Sequence, residues 1–338
     1  MCTGNIGSSS GDKRIRIDKG GNLLCLNEEE KKVHCFGFSE SANSYEKKNH
    51  LVSYSEGVCS MDTSKESEYA VMTDGTVRHF KQGSVSVLPK LHKIGSVTCG
   101  PSNAFFVGEN LDLYGLGNNE FGQLGFPRWN SLLSPEQILI VNPPTTRYEI
   151  FAGLDSTFLL SEEGTIWCSG RLGGFDRGIK TFAIRYTNTS VASIVPCHSF
   201  TLFLMKDGSL FCFGTRFRMA ASRLKDIQRK CVYPSRIPYI DRDIMQIMGT
   251  ETLVICLRNN GQLFFLPPEV KVPHCPVMTS LVAKSCEPPM FITQDEFGGL
   301  WMFTWDRYCL EVPVSCKELN PEILGSVHPK NHMKSARK

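Results

Sequence analysis

The sequence contains no C-x-x-C pair; of its 14 cysteines the two nearest, Cys309 and Cys316, stand seven residues apart. Zinc knuckles and dithiol redox motifs need thiols close enough to reach one atom, so this spacing excludes both. No H-E-x-x-H occurs, and among eight histidines the one i, i+4 pair, His328 and His332, falls in the tail HPKNHMKSARK. That basic segment offers little apolar surface to pack and is expected to be disordered rather than metal-binding. No apolar run approaches the roughly 18 residues of a membrane-spanning helix, and the opening MCTGNIGSSSGDKR lacks the apolar core of a secretory signal. A charge excess is missing as well. Four of the 37 basic residues (Lys330, Lys334, Arg337 and Lys338) belong to the tail, and the rest balance the 34 acidic ones. A balanced body is not built to track a nucleic-acid backbone. The expectation is a soluble protein of the cytoplasm and/or nucleus, without metal or cofactor.

What is present is a recurring glycine pattern. The stretch LDLYGLGNNEFGQLGF, residues 111–126, carries six glycines and asparagines and then meets Pro127. A phosphate-binding loop needs a lysine and a hydroxyl after its last glycine, and a dinucleotide fingerprint needs a helix to follow. Phe126 and Pro127 meet neither condition.

The pattern repeats along the chain. Segments KVHCFG from Lys32, TVRHFK from Thr76, DLYGLG from Asp112, TIWCSG from Thr165, SLFCFG from Ser209, QLFFLP from Gln262 and GLWMFT from Gly299 align, with starts 44, 36, 53, 44, 53 and 37 residues apart. Their second position is always aliphatic: Val33, Val77, Leu113, Ile166, Leu210, Leu263 and Leu300. Most follow a turn ending in glycine, at Gly75, Gly164, Gly208 and Gly261, and an apolar run such as FFV at 105–107, FLL at 158–160, LFLM at 202–205 or VICL at 254–257 precedes the turn. Each unit therefore reads as strand, tight turn, strand, because glycine supplies positive φ without a Cβ clash. The period leaves room for about four short strands per unit. One such sheet cannot bury both faces, but seven packed around an axis can, which predicts an all-β, seven-bladed propeller. Cys35, Cys168 and Cys212 share the fourth repeat position and are expected to be small buried hydrophobes.

Residues 97–126, VTCGPSNAFFVGENLDLYGLGNNEFGQLGF, resemble a repeat of the regulator of chromosome condensation family, whose repeats run from an alanine-glycine-x-x-histidine-threonine loop through an apolar strand, a D-G turn and an aromatic-x-x-glycine strand to N-x-x-G-Q-L-G. The fourth copy, FAGLDSTFLLSEEGTIWCSGRLGG, and the fifth, IVPCHSFTLFLMKDGSLFCFG, keep the core and lose the ending. The resemblance extends weakly over residues 23–308. It implies a seven-bladed propeller in which Gly115, Gly117, Gly122 and Gly125 are turn and packing residues. It also implies a protein partner, since the family includes exchange factors for the small GTPase Ran, chromatin binders and interaction modules.

In the exchange factors, acids directly after the loop glycine contact the GTPase. That place holds Lys65, Pro101, Leu154, His198 and Glu251 here, so Glu251 alone keeps an acid. The repeat histidine is replaced by Asn103, Ser156, Phe200 and Leu253. Asp155, one residue late, either substitutes through a loop shift or bonds its own turn; His198 either lines a binding face or is an ordinary loop residue; Glu251 is either a contact acid or a solvated charge. Two long stretches, 127–147 and 216–236, are candidate wedges between blades. The second is basic through Arg216, Arg218, Arg223, Lys225, Arg229, Lys230 and Arg236, and reads as a surface helix or as a site for an acidic partner.

The organisation expected is a flexible segment 1–12, a propeller over 13–320 closed by residues 13–20 joining the last blade, and a basic disordered tail 321–338. The function expected is that of an interaction module, an adaptor or regulatory subunit without covalent catalysis. The alternatives are guanine-nucleotide exchange on a Ran-like small GTPase and chromatin association through the basic loop and tail.

Overall fold

The structure, a computed structural model, describes residues 14–17, 22–27, 29–39, 44–47, 57–81, 84–174, 179–215, 231–266, 270–271, 275–286, 289–304 and 315–318. These form seven antiparallel sheets of four strands, each sheet built from strands consecutive in sequence. All seven aligned segments become the third strand of a sheet: Lys32–Ser39, Val77–Lys81, Leu113–Gly117, Thr165–Gly170, Leu210–Gly214, Leu263–Leu266 and Leu300–Thr304. The apolar runs before the turns become second strands, as in Ser156–Ser161, where Leu159 faces Trp167 across the hairpin. Both faces of these central strands are buried, so the runs are continuous rather than alternating.

The turns between second and third strands behave as expected. Gly164 has φ +85 and Gly208 φ +79, and a Cβ on Gly164 would stand 2.6 Å from Thr189 Cα. Gly125 answers to packing: a Cβ there would come within 2.5 Å of Phe182, which is fully buried and meets Phe105 edge-on at 6.5 Å.

Apolar clusters lie between successive sheets. Leu26 and Val33 of the first meet Val58 and Met72 of the second, and Val254 and Phe264 of the sixth meet Leu202 and Leu210 of the fifth. The sequence of clusters returns on itself, since Ile15, Ile17 and Leu23 of the first sheet pack with Val282, Ile292 and Leu300 of the seventh. The first strands of neighbouring sheets touch all round, including Ile15–Ile17 against Met278–Cys286. Polar side chains stitch these inner strands together: Asp62 accepts from Cys99 N at 2.8 Å and pairs with Arg16 at 2.5 Å, and Gln246 Oε1 accepts from Leu281 N at 2.6 Å. Seven sheets match a seven-blade count.

Two expectations are corrected. Ile15–Ile17 does not join the last sheet; it pairs with Leu23–Cys25 in the first. The seventh sheet takes its fourth strand from Ser315–Glu318, and the first and seventh sheets meet through side chains. The stretch 127–147 is not a free wedge, because Leu132–Ile138 is the outermost strand of the third sheet, bonded to Leu113–Gly117. Cys35, Cys168 and Cys212 are buried, as their repeat position suggests.

Candidate functional site

The loops joining first to second strands share one face with those joining third to fourth, because each hairpin turn between second and third strands points the other way. Main-chain bonds knit this loop face from sheet to sheet. Lys65 N donates to Pro101 O at 2.9 Å and His198 N to Glu251 O at 2.8 Å. Gln123 Nε2 donates to Leu154 O at 3.1 Å, while Ser169 Oγ donates to Gln123 O at 3.0 Å. Glycine permits these approaches: Gly153 carries no Cβ where Pro196 O would lie 2.8 Å away.

The N-x-x-G-Q-L-G ending, kept in the third copy, folds as a self-bonded knot. Asn119 is buried, its Oδ1 accepting from Leu124 N at 2.9 Å and its Nδ2 donating to Arg128 O. Gln123 Oε1 accepts from Phe121 N at 2.9 Å. The knot holds Phe121 over the loop of the fourth sheet, where the Arg171 guanidinium carbon sits 4.2 Å from the ring centroid.

Asp155 lies beneath this contact. Its side chain is 1% exposed, and Oδ2 receives Arg171 Nε at 3.0 Å and Nη2 at 2.8 Å, with His198 Nδ1 at 3.1 Å. Oδ1 is buried without a hydrogen-bond partner among the described residues. Burial pushes the carboxyl up from its ordinary value, against the opposing pull of Arg171 and His198. The main chain repeats the link, Arg171 N donating to Asp155 O at 2.7 Å. Asp155 thus faces inward, while Arg171 and His198 keep side-chain exposures of 22% and 44%.

Glu251 sits on the sixth sheet's loop and Lys65 on the second's, yet Lys65 Nζ lies 2.6 Å from Glu251 Oε1. The pair links the second and sixth sheets at the loop face. Both side chains are 24% exposed, so the acid at the family's contact position is present and already engaged.

Of the residues picked from sequence, Asp155 and His198 are brought into contact and Glu251 is tied to His198 through the main chain. Arg216, Arg218, Arg229 and Lys230 lie outside the described residues, as do the segments 1–12 and 321–338. Arg171, Phe121 and the pairing of Lys65 were missed. A signal existed for Arg171: it directly follows the glycine ending the third strand, where the third and fifth copies have Asn118 and Thr215. The described residues contain no group of three or more His, Cys, Asp or Glu able to hold a metal ion, and no helix long and apolar enough to cross a membrane.

No protein-family model and no curated protein matches the chain. Solved structures match in shape. Human WBSCR16 superposes with a TM-score of 0.61 at 13% identity, covering 82% of this chain and 84% of that one. Yeast RCC1 (Prp20) in the structure with Kap60 gives 0.60 at 14%, covering 77% and 73%. Prp20p of Saccharomyces cerevisiae, described by its binding to Gsp1p and histones, gives 0.50 at 14%, covering 88% and 75%. Identities this low show the fold alone: the chain is all-β and multi-bladed, with a propeller-like arrangement of its sheets.

Proposed function

We propose that this chain is a propeller of the regulator of chromosome condensation type that binds a protein through its loop face, and that the partner is a small GTPase whose nucleotide exchange it regulates. The observation that carries the binding reading is the loop face itself, a surface knit from the second sheet to the sixth on which Phe121, Arg171 and His198 converge from three sheets. Rigid sheets presenting clustered aromatic and guanidinium groups suit a protein contact, where such residues carry most binding energy. The GTPase is favoured as partner class by the likeness to yeast RCC1, in one structure characterised by binding to Gsp1p and histones, and by Glu251 at the family's acidic position. The protein acts without covalent catalysis, in the cytoplasm and/or nucleus.

One observation favours a second reading, that of an adaptor without exchange activity: Glu251 is engaged by Lys65 and Asp155 is turned inward. The two readings separate in one assay. Nucleotide release from a panel of Ran-like and other small GTPases is measured with and without the protein. Accelerated release lost in Glu251→Ala supports exchange; binding without acceleration supports the adaptor; no binding to any member removes the GTPase.

A further inference from the structure

Two acids of this chain's loop face, Glu251 and Asp155, are used internally. Glu251 is paired with Lys65 at 2.6 Å, and Asp155 lies buried behind Arg171 and His198. The exposed Glu120, one residue before Phe121, takes a hydrogen bond from Asn118 Nδ2 at 3.5 Å. Beside that acid, the junction of third, fourth and fifth sheets presents Phe121, Arg171 and His198, each partly exposed.

The geometry of Arg171 is specific. Nε and Nη2 are both spent on one oxygen of Asp155, while Nη1 has no partner among the described residues. The guanidinium carbon lies over the Phe121 ring, 4.2 Å from its centroid. His198 stands beside it, with Nδ1 3.4 Å from Nη2, and is the most exposed member of the cluster. Asp155 therefore acts as a positioning residue for Arg171 and for His198, whose Nε2 also lies 3.5 Å from Arg171 Nη2, and Arg171 Nη1 is the donor left unspent among the described residues.

We propose that Phe121, Arg171 and His198 form a recognition site for a carboxylate on the partner, so that this part of the loop face takes an acidic side chain. The proposal rests on the loop face being the contact surface and specifies the chemistry that it reads. A free guanidinium edge and an imidazole match a planar, singly charged carboxylate. Asp155 offsets the charge of Arg171, so the cluster carries no large positive excess. A dianionic phosphate would want more positive charge than this.

The test uses a fluorescently labelled oligoglutamate peptide, with oligolysine and oligoserine peptides of the same length, on the full chain. Arg171→Lys keeps the charge and loses the planar fork; His198→Gln alters an exposed ring; Arg242→Gln, in an exposed pair with Asp207, is the control. The proposal expects preference for oligoglutamate, reduced roughly tenfold by Arg171→Lys and severalfold by His198→Gln in protein that circular dichroism shows folded, and unaffected by the control. Equal binding of all three peptides, or oligoglutamate binding indifferent to both variants, overturns it. So does stronger competition by inorganic phosphate than by acetate, which makes the site a phosphate site, or by duplex DNA, which makes it a nucleic-acid surface. If no GTPase binds but oligoglutamate does in the expected manner, the partner class proposed above fails and the carboxylate site stands; if a GTPase binds Arg171→Lys and His198→Gln as well as wild type, the reverse holds.

Discussion

Lys65 and Glu251 come from the second and sixth of seven sheets, 186 residues apart in sequence, and their side chains meet at 2.6 Å. Each is partly exposed, so water screens the pair, and a double-mutant cycle with Lys65→Met and Glu251→Gln should return a coupling of about 1 kcal/mol. Urea unfolding checks it. No coupling would mean that the two charges are not held together in solution.

Asp155 is the buried anchor of its cluster, and removing it leaves Arg171 without its ion partner. Asp155→Ala should cost about 2 to 3 kcal/mol, more than a substitution at a surface site. A melting temperature equal to wild type would contradict the inward placement of the carboxylate.

The same residue predicts a pH dependence. Burial raises the Asp155 carboxyl in the folded protein, so the fold holds that proton more tightly than the unfolded chain does. Its contribution is full below the ordinary carboxylate value of about 4 and is lost as pH rises through the raised one. The stability of wild type relative to Asp155→Asn should therefore fall across that window in urea titrations. A relative stability that climbs instead would show that Arg171 and His198 outweigh burial.

Gly164→Val and Gly208→Val should each destabilise by about 2 kcal/mol or more, because positive φ is compounded by backbone contacts, at 2.6 Å from Thr189 and 2.9 Å from Arg242. Gly95→Ala is the comparison: its nearest contact would be 3.8 Å away, and thermal melts should barely register the change.

Native alkylation should sort the thiols by position. Cys35, Cys168 and Cys212 are nearly inaccessible and should react only after unfolding. Cys59 and Cys275 are partly exposed, and burial raises both thiols above the ordinary value, so they should label before those three, but slowly. Rapid labelling of the first three would break the alignment of the sheets.

The sequence and the structure agree where the signal is local. The second-to-third-strand hairpins were legible because an aliphatic-aromatic run and a glycine turn recur at Gly75, Gly164, Gly208 and Gly261, and each of those glycines has positive φ. Outer strands were less legible. Leu132–Ile138 carries Pro135 and an exposed Leu133, a mixed pattern that a strand paired on one side tolerates and a core strand would not. The role of Ile15–Ile17 was misread because alternation identifies a strand but not its partner. At the site, loop position singled out Asp155, His198 and Glu251, but what each touches depends on residues 16, 27 and 186 positions away in Arg171, Arg171 again and Lys65. Such contacts leave no periodic trace in one sequence.

The central claim is that the loop face receives a protein partner, and amide hydrogen exchange of the complex with a captured nucleotide-free GTPase tests it most directly. Slowed exchange should concentrate in residues 64–67, 118–123, 153–155, 197–199 and 250–253, with the turns around Gly75, Gly164, Gly208 and Gly261 unchanged. Protection confined to those turns, on the opposite face, would contradict the account.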